Sequence, residues 1–179
     1  SVLTVAPEFY EEPGDPNLIR TVRDSVDVHA VKAFRARKRF RLFGDIALRG
    51  AYWLIREGLK ICREQQPDFI VVSVPSFYSA VIARILHDKT GIPYGVDYQD
   101  PWVRPLHPGQ TWLSRHGLSV LAAKLLEPYS VARASLLSGI SQAYFAGVIE
   151  RNPKLTQVTT VEFPVGSDAK KHRIRMEEG

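Results

Sequence analysis

The run Phe69-Ile70-Val71-Val72-Ser73-Val74 is apolar almost throughout, and stretches with helical spacing flank it on both sides. Rich in valine and too short for a helix of its own, it reads as a strand buried on both faces. Such strands belong to parallel sheets covered by helices, so the rest of the chain should alternate strand and helix. It does. Val2 to Ala6 and Val26 to Val31 are strand-like. From Asp45, a good N-cap, the residues Ala47, Ala51, Leu54, Gly58 and Ile61 recur at four- and three-residue steps, which predicts a long amphipathic helix stopping before Pro67. Ser76 is placed to cap a second helix containing Ala80, Ile82, Ala83, Ile85 and Leu86, which Gly91 and Pro93 bring to an end.

Tyr94 to Tyr98 is the next strand, and Pro101, Pro105 and Pro108 mark an irregular loop after it. Trp112 to about Ala132 reads as helical, with Pro128 a point of kinking. Ser135 to Ile140 is strand-like, Ser141 caps a helix to about Arg151, and Val158 to Phe163 is the last strand. The fold class is therefore α/β, a parallel sheet with helices on both faces. Right-handed crossovers bring the carboxyl ends of the strands to one edge, where ligands of such sheets bind. The residues to inspect are those just past each strand: Ser73 and Ser76; Asp97, Gln99, Asp100 and Trp102; Gly139 and Ser141; Gly166 and Asp168.

At 179 residues, 45% hydrophobic and 24% charged, the chain has the composition of one globular domain, which excludes a disordered tail or a collagen-like fibre. Its single cysteine, Cys62, forms no intramolecular disulfide. No apolar stretch reaches the roughly 18 residues of a spanning helix, and no signal-peptide pattern opens the chain. A cytoplasmic protein is the simplest expectation. The net charge of +5 is uneven: Glu8, Glu11, Glu12, Asp15 and Asp24 lie in an acidic stretch, followed by the basic run Lys32, Arg35, Arg37, Lys38, Arg39 and Arg41. That run favours phosphate-bearing partners, with a solvated loop as the plain alternative. Ala33, Phe34 and Phe40 are interleaved with it and suit insertion at a membrane interface.

Asp97-Tyr98-Gln99-Asp100-Pro101-Trp102 is the segment richest in chemistry. Carboxylates at the mouth of a sheet serve as bases or bind sugar hydroxyls, and a tryptophan beside them offers a flat apolar face to a sugar ring or lipid chain. The plain alternative is a capping Asp and a core Trp. Ser73-Val74-Pro75-Ser76 joins a strand to a helix N-terminus, where amides can hold an anion, though helix capping by Ser76 is the simpler reading, as it is for Ser141. The dinucleotide glycine fingerprint, the P-loop and the Gly-x-Ser-x-Gly elbow are all absent. His29, His87, His107, His116 and His172 have no metal-ligand spacing, and His107, in the loop after Asp100, is the one that lies near the expected site.

Four stretches resemble the N-terminal, acceptor-side domain of retaining glycosyltransferases of family 4, which have the two-domain GT-B architecture. Pro67 to Ser76 resembles a family strand leading into an alanine-rich helix. Gly91-Ile92-Pro93 through Asp97-Tyr98-Gln99-Asp100-Pro101-Trp102 resembles the D-x-R-D-P-W segment of its cell-surface polysaccharide members. Ser138-Gly139-Ile140-Ser141 and Phe163-Pro164-Val165-Gly166-Ser167-Asp168 resemble its V-S turn and its passage to the second domain. Gln99 departs from the pattern, since many members carry there a histidine that contacts the donor sugar. The Glu-x7-Glu pair that grips the donor in this family does not occur.

The resemblance implies a Rossmann-like domain over residues 1–168, a linker or tail over 169–179, a first strand ahead of Val2 and a donor domain beyond the last residue. It implies transfer of a sugar from a nucleotide sugar to a polysaccharide or lipopolysaccharide precursor, a lipid-linked or glycan acceptor, with no metal or other cofactor. In that reading Asp97 and Asp100 are catalytic or acceptor contacts, Ser73, Ser76, Gln99, Trp102 and His107 line the acceptor site, and Gly139, Ser141, Gly166 and Asp168 lie near the hinge. The basic run would then dock on the inner face of an anionic membrane. Two other readings use the same run: a non-catalytic module binding anionic lipid or phosphoglycan, and a nucleic-acid binder, for which no motif speaks.

Overall fold

The structure, a computed structural model, describes residues 1–11, 25–35, 45–74, 76–103, 111, 114–155 and 157–163. Six strands and four helices are described along these segments, alternating from β2 onward: β1 Val2–Val5, β2 Val28–Val31, α1 Ile46–Gln65, β3 Ile70–Ser73, α2 Tyr78–Thr90, β4 Tyr94–Tyr98, α3 Arg115–Val131, β5 Leu136–Gly139, α4 Gln142–Arg151 and β6 Thr159–Glu162. A 3₁₀ turn, Pro7–Phe9, follows β1. Every strand pair is parallel. They form a two-stranded sheet, β1-β2, and a four-stranded sheet in the order β3-β4-β5-β6, flanked by helices.

Local chemistry sets the helix ends. Asp45 is extended and its carboxylate accepts the Leu48 N–H at 3.0 Å, which starts α1. Gln66 then takes a left-handed conformation ahead of Pro67, and the helix cannot continue. Gly91 closes α2 with φ 75°, where a side chain would be strained, and its N–H reaches the His87 carbonyl at 2.8 Å. Ser114 caps α3 by accepting from the Gly117 N–H at 3.0 Å, and the helix runs through Pro128 to Val131.

Two clusters form the core. In the larger, Tyr94, Val96 and Tyr98 of β4 and Leu137 of β5 pack against Ala80 and Ala83 of α2, Ala123 and Val131 of α3, and Phe145 and Val148 of α4. These three helices thus cover one face of the four-stranded sheet. In the smaller, Val5, Ala33, Ala47 and Leu54 meet Ile82 and Leu86, so α1 and α2 join the two sheets through one helical layer. Arg49, 6% exposed, ties the strand ends to α1, its Nη1 donating to the carbonyls of Phe9 at 3.2 Å and Phe34 at 2.8 Å.

Three sequence expectations are corrected here. β3 is not buried on both faces: Val71 is 67% exposed, because the helices among the described residues cover the face that carries Ile70 and Val72. Ser76 does not cap α2. Phe77 holds the N-cap position without a side-chain bond, and Ser76 Oγ instead donates to Asp45 Oδ1 at 2.6 Å, tying the start of α2 to the start of α1. Ala33 belongs to the core and not to a surface-inserting set, since it packs beneath α1 with Val5 and Ala47.

Candidate functional site

Parallel register builds the site. Ser73 lies opposite Asp97, and Asp97 lies opposite Ser138, so the three side chains form a row across β3, β4 and β5. Strand alternation turns this row away from the core residues Val96, Tyr98 and Leu137. The row stands at the carboxyl edge, as Ser73 ends β3 while Asp97 and Ser138 each precede the last residue of their strands.

The row is bonded throughout. Ser138 Oγ donates to Asp97 Oδ1 at 2.8 Å, and Ser73 Oγ donates to Oδ2 at the longer distance of 3.4 Å. Gln99 Nε2 donates in turn to Ser73 Oγ at 2.8 Å. Asp97 is half-buried and Ser138 is buried, while Ser73, Gln99 and Asp100 are exposed. A carboxylate held from both sides by hydroxyls keeps its orientation, and each oxygen retains lone pairs for a further donor. Such an arrangement is suited to a ligand hydroxyl. Asp100 lies three residues on, in the turn that leaves β4.

Trp102 departs from its expected role. It is 8% exposed and its ring stacks on Phe77 with centroids 5.4 Å apart and planes 4° apart, so the flat face foreseen for a sugar is occupied by core packing. Ser76 is buried against Asp45 and points its hydroxyl there. Gly139 is needed for close approach: a Cβ would stand 2.7 Å from the Tyr98 carbonyl oxygen. Ser141 caps α4, accepting from the Ala143 N–H at 3.4 Å. Lys32 and Arg35 are exposed beyond β2. His107, Gly166, Asp168, Arg37, Lys38, Arg39 and Arg41 lie outside the described residues.

Ser138, which in sequence belongs only to the turn motif Ser138-Gly139-Ile140-Ser141, joins the site because it stands opposite Asp97 and, like it, next to the end of its strand. A buried ionic group that no local pattern in the sequence announces lies close to Tyr98. Glu127, 1% exposed, accepts from Arg151 Nε at 2.9 Å, Arg151 Nη2 at 2.8 Å and Asn152 Nδ2 at 3.1 Å. Burial among these residues raises the pKa of Tyr98, and the negative charge of Glu127 pushes it the same way. Among the described residues, no three His, Cys, Asp or Glu side chains gather as a metal ion would require, and no helix is long and apolar enough to cross a membrane.

No curated protein matches the chain. A family model does, that of the glycosyl transferase 4-like domain, and it covers residues 1–164, including every strand described above. With parallel sheets flanked by helices and a polar row at the strand ends, the chain belongs to the glycosyl transferase 4-like domain family.

Proposed function

We propose that this chain is the acceptor-side domain of a retaining GT-B glycosyltransferase that moves a sugar from a nucleotide sugar onto a surface polysaccharide or lipopolysaccharide precursor. The observation that carries the reading is the Ser73–Asp97–Ser138 row with Gln99 bonded to it, at the strand ends of a domain of this family. Asp97 would accept a hydrogen bond from an acceptor hydroxyl, its orientation fixed beforehand by the two serines. In the transfer step the acceptor oxygen bonds to the sugar C1 as the bond from C1 to the nucleotide diphosphate breaks. The acceptor proton must go to a base, and Asp100, exposed beside Gln99, is the candidate. The phosphates would be gripped by a donor domain outside these residues, so the 179 residues alone are expected to be inactive, and no metal is assigned to the step.

The test uses the native polypeptide isolated from its source cell, supplied with a panel of nucleotide sugars and membrane-extracted acceptors. Transfer is expected, falling about a hundredfold in Asp100→Asn and in Asp97→Asn while both variants stay folded by circular dichroism. Near-wild-type rates in both variants would remove these carboxylates from the mechanism, and absence of any transfer would favour a binding module.

A second observation favours docking on an anionic membrane. Phe34 and Tyr52 are 66% and 63% exposed, and both pack edge-on against Trp53, at 4.9 and 5.5 Å, with Lys32 and Arg35 alongside in sequence. Exposed aromatics next to cations suit the headgroup region. Sedimentation with phosphatidylglycerol vesicles, weakened by salt and by a Phe34→Ser, Arg35→Ser double variant, is the expected result. Equal binding to neutral vesicles would count against it.

A further inference from the structure

Trp102 turns its ring into the core, but the carboxyl edge of the four-stranded sheet presents another aromatic. Phe163 is 57% exposed and stands one residue beyond β6. Its N–H donates to the Gly139 carbonyl at 2.8 Å, just as the Thr159 N–H donates to that of Ser135 at 3.1 Å. The parallel ladder between β5 and β6 therefore runs past the end of β6 and holds the backbone of Phe163 in line. A single exposed phenylalanine is ordinary on a protein surface, and what matters is where this one stands.

Alternation gives the direction of its side chain. Val161 lies opposite Ser138, on the face that carries Ser73 and Asp97, and Phe163, two residues on, points the same way. Neither Val161 nor Phe163 enters the core cluster, whereas Val158, of the opposite parity, packs against it. Gln99 comes two residues after Asp97 and shares that face, as its bond to Ser73 Oγ shows. Tyr98 pairs with Gly139, which sets Gln99 level with Ile140, and the ladder bond sets Phe163 level with Ile140 from the other side. Gln99 and Phe163 thus fall in one row, two strand spacings or about 10 Å apart.

The edge is therefore amphipathic across its width. On β3 and β4 it presents the Ser73 hydroxyl, the Asp97 carboxylate and the Gln99 amide, and on the β6 side Val161 and the Phe163 ring. A sugar ring is amphipathic in the same sense, with hydroxyls around its rim and C–H groups on its faces. We propose that Phe163 is the stacking platform of the acceptor site, taking the C–H face of a hexopyranose whose rim hydroxyls bond to Asp97 and Gln99. It also selects among epimers, because an axial hydroxyl on the stacked face would lose its water against the aromatic ring and gain no equal partner. The ligand class rests on the glycosyltransferase reading. A lipid chain is the poorer occupant, since it would cover Asp97 and Gln99 without offering them a partner.

The test is titration of the native polypeptide with a panel of methyl hexopyranosides, read by calorimetry and by saturation-transfer NMR, which reports the sugar protons nearest the protein. At least one pyranoside is expected to bind, with the C–H protons of one ring face saturated most strongly. Phe163→Ser should weaken that binding about tenfold, and Phe163→Tyr should hold it within about twofold. The preference between epimers should collapse in the serine variant alone. Phe163 is largely exposed, so circular dichroism should show both variants folded. Equal binding by wild type and Phe163→Ser, an epimer preference that survives the substitution, or no pyranoside binding at all would overturn the proposal. Phe163-dependent binding of geranyl phosphate in place of the pyranosides would assign the ring to a lipid tail and overturn it equally. None of these readouts needs turnover: if the transferase reading alone failed, no nucleotide sugar would be consumed while the Phe163-dependent binding remained.

Discussion

Ser138 on β5 donates its hydroxyl to Oδ1 of Asp97 on β4 at 2.8 Å, from the position directly opposite in the parallel register. Ser73 reaches the other oxygen from β3 at 3.4 Å, the weaker contact of the two.

That difference predicts a gradient. Ser138→Ala should cost about 1 kcal/mol of stability, the ordinary net worth of a hydrogen bond, and should lower kcat/KM of the native polypeptide about tenfold. Ser73→Ala should do less on both counts. Steady-state kinetics beside thermal melts checks this: equal losses would remove the gradient, and no loss of kcat/KM in either variant would show that the row does not orient Asp97.

Glu127 is sealed from water and depends on Arg151 and Asn152. Arg151→Met leaves that carboxylate short of its cation and should destabilise the domain by about 3 kcal/mol, the low end for a broken buried pair, because Arg151 is itself 37% exposed. A Glu127→Leu, Arg151→Met double variant should regain most of the loss, since Asn152 keeps its bond to the Val148 carbonyl at 2.8 Å. Urea unfolding of the three variants gives the comparison.

The Tyr98 hydroxyl is buried with no hydrogen-bond partner among the described residues. Tyr98→Phe should therefore leave stability unchanged or raise it by up to about 1 kcal/mol, an unusual sign for a core tyrosine. A clear loss of stability in calorimetry would mean that the hydroxyl is bonded, for instance to an internal water.

Arg84 Nε bonds both oxygens of Asp88, at 2.9 and 3.0 Å, and this hydrogen bond holds the carboxyl below its ordinary pKa of 3.8. With the folded value below the unfolded one, the contact contributes stability above about pH 4 and loses it as pH falls through the folded value. Asp88→Asn should thus flatten the acid limb, bringing urea midpoints at about pH 3 and about pH 5 closer together than in the wild type. An unaltered difference would show that solvent screens the pair.

Local signals in the sequence proved sufficient where the cause is local. The strand Tyr94 to Tyr98, the helix opened by Asp45 and the stop at Gly91 follow from alternation, capping and φ, and the structure has each of them. What stayed hidden depends on partners distant in the chain. Ser76 satisfies every local rule for a cap, yet Asp45, thirty-one positions away, takes its hydroxyl. Trp102 looked available because nothing in its own segment reveals that Phe77 stacks on it. Val71 counts as buried on sequence alone, because an apolar run does not say which of its two faces the helices cover. Ser138 enters the sequence only as part of a turn motif, because its role at the site comes from lying opposite Asp97, and register across strands is written in no single segment.

β4 carries Tyr94, Val96 and Tyr98 toward the helices, and Gly95 and Asp97 the other way. One stretch of five residues thus holds two separate inheritances, one answerable to folding and the other to whatever ligand arrives. Specificity can drift at Asp97 while Tyr94, Val96 and Tyr98 stay under the discipline of packing, as does Gly95, where a Cβ would stand 2.9 Å from that of Leu136. Sister domains with different substrates could share an interior and differ at this edge, and an engineer wishing to change the ligand has a place to begin that leaves the core untouched.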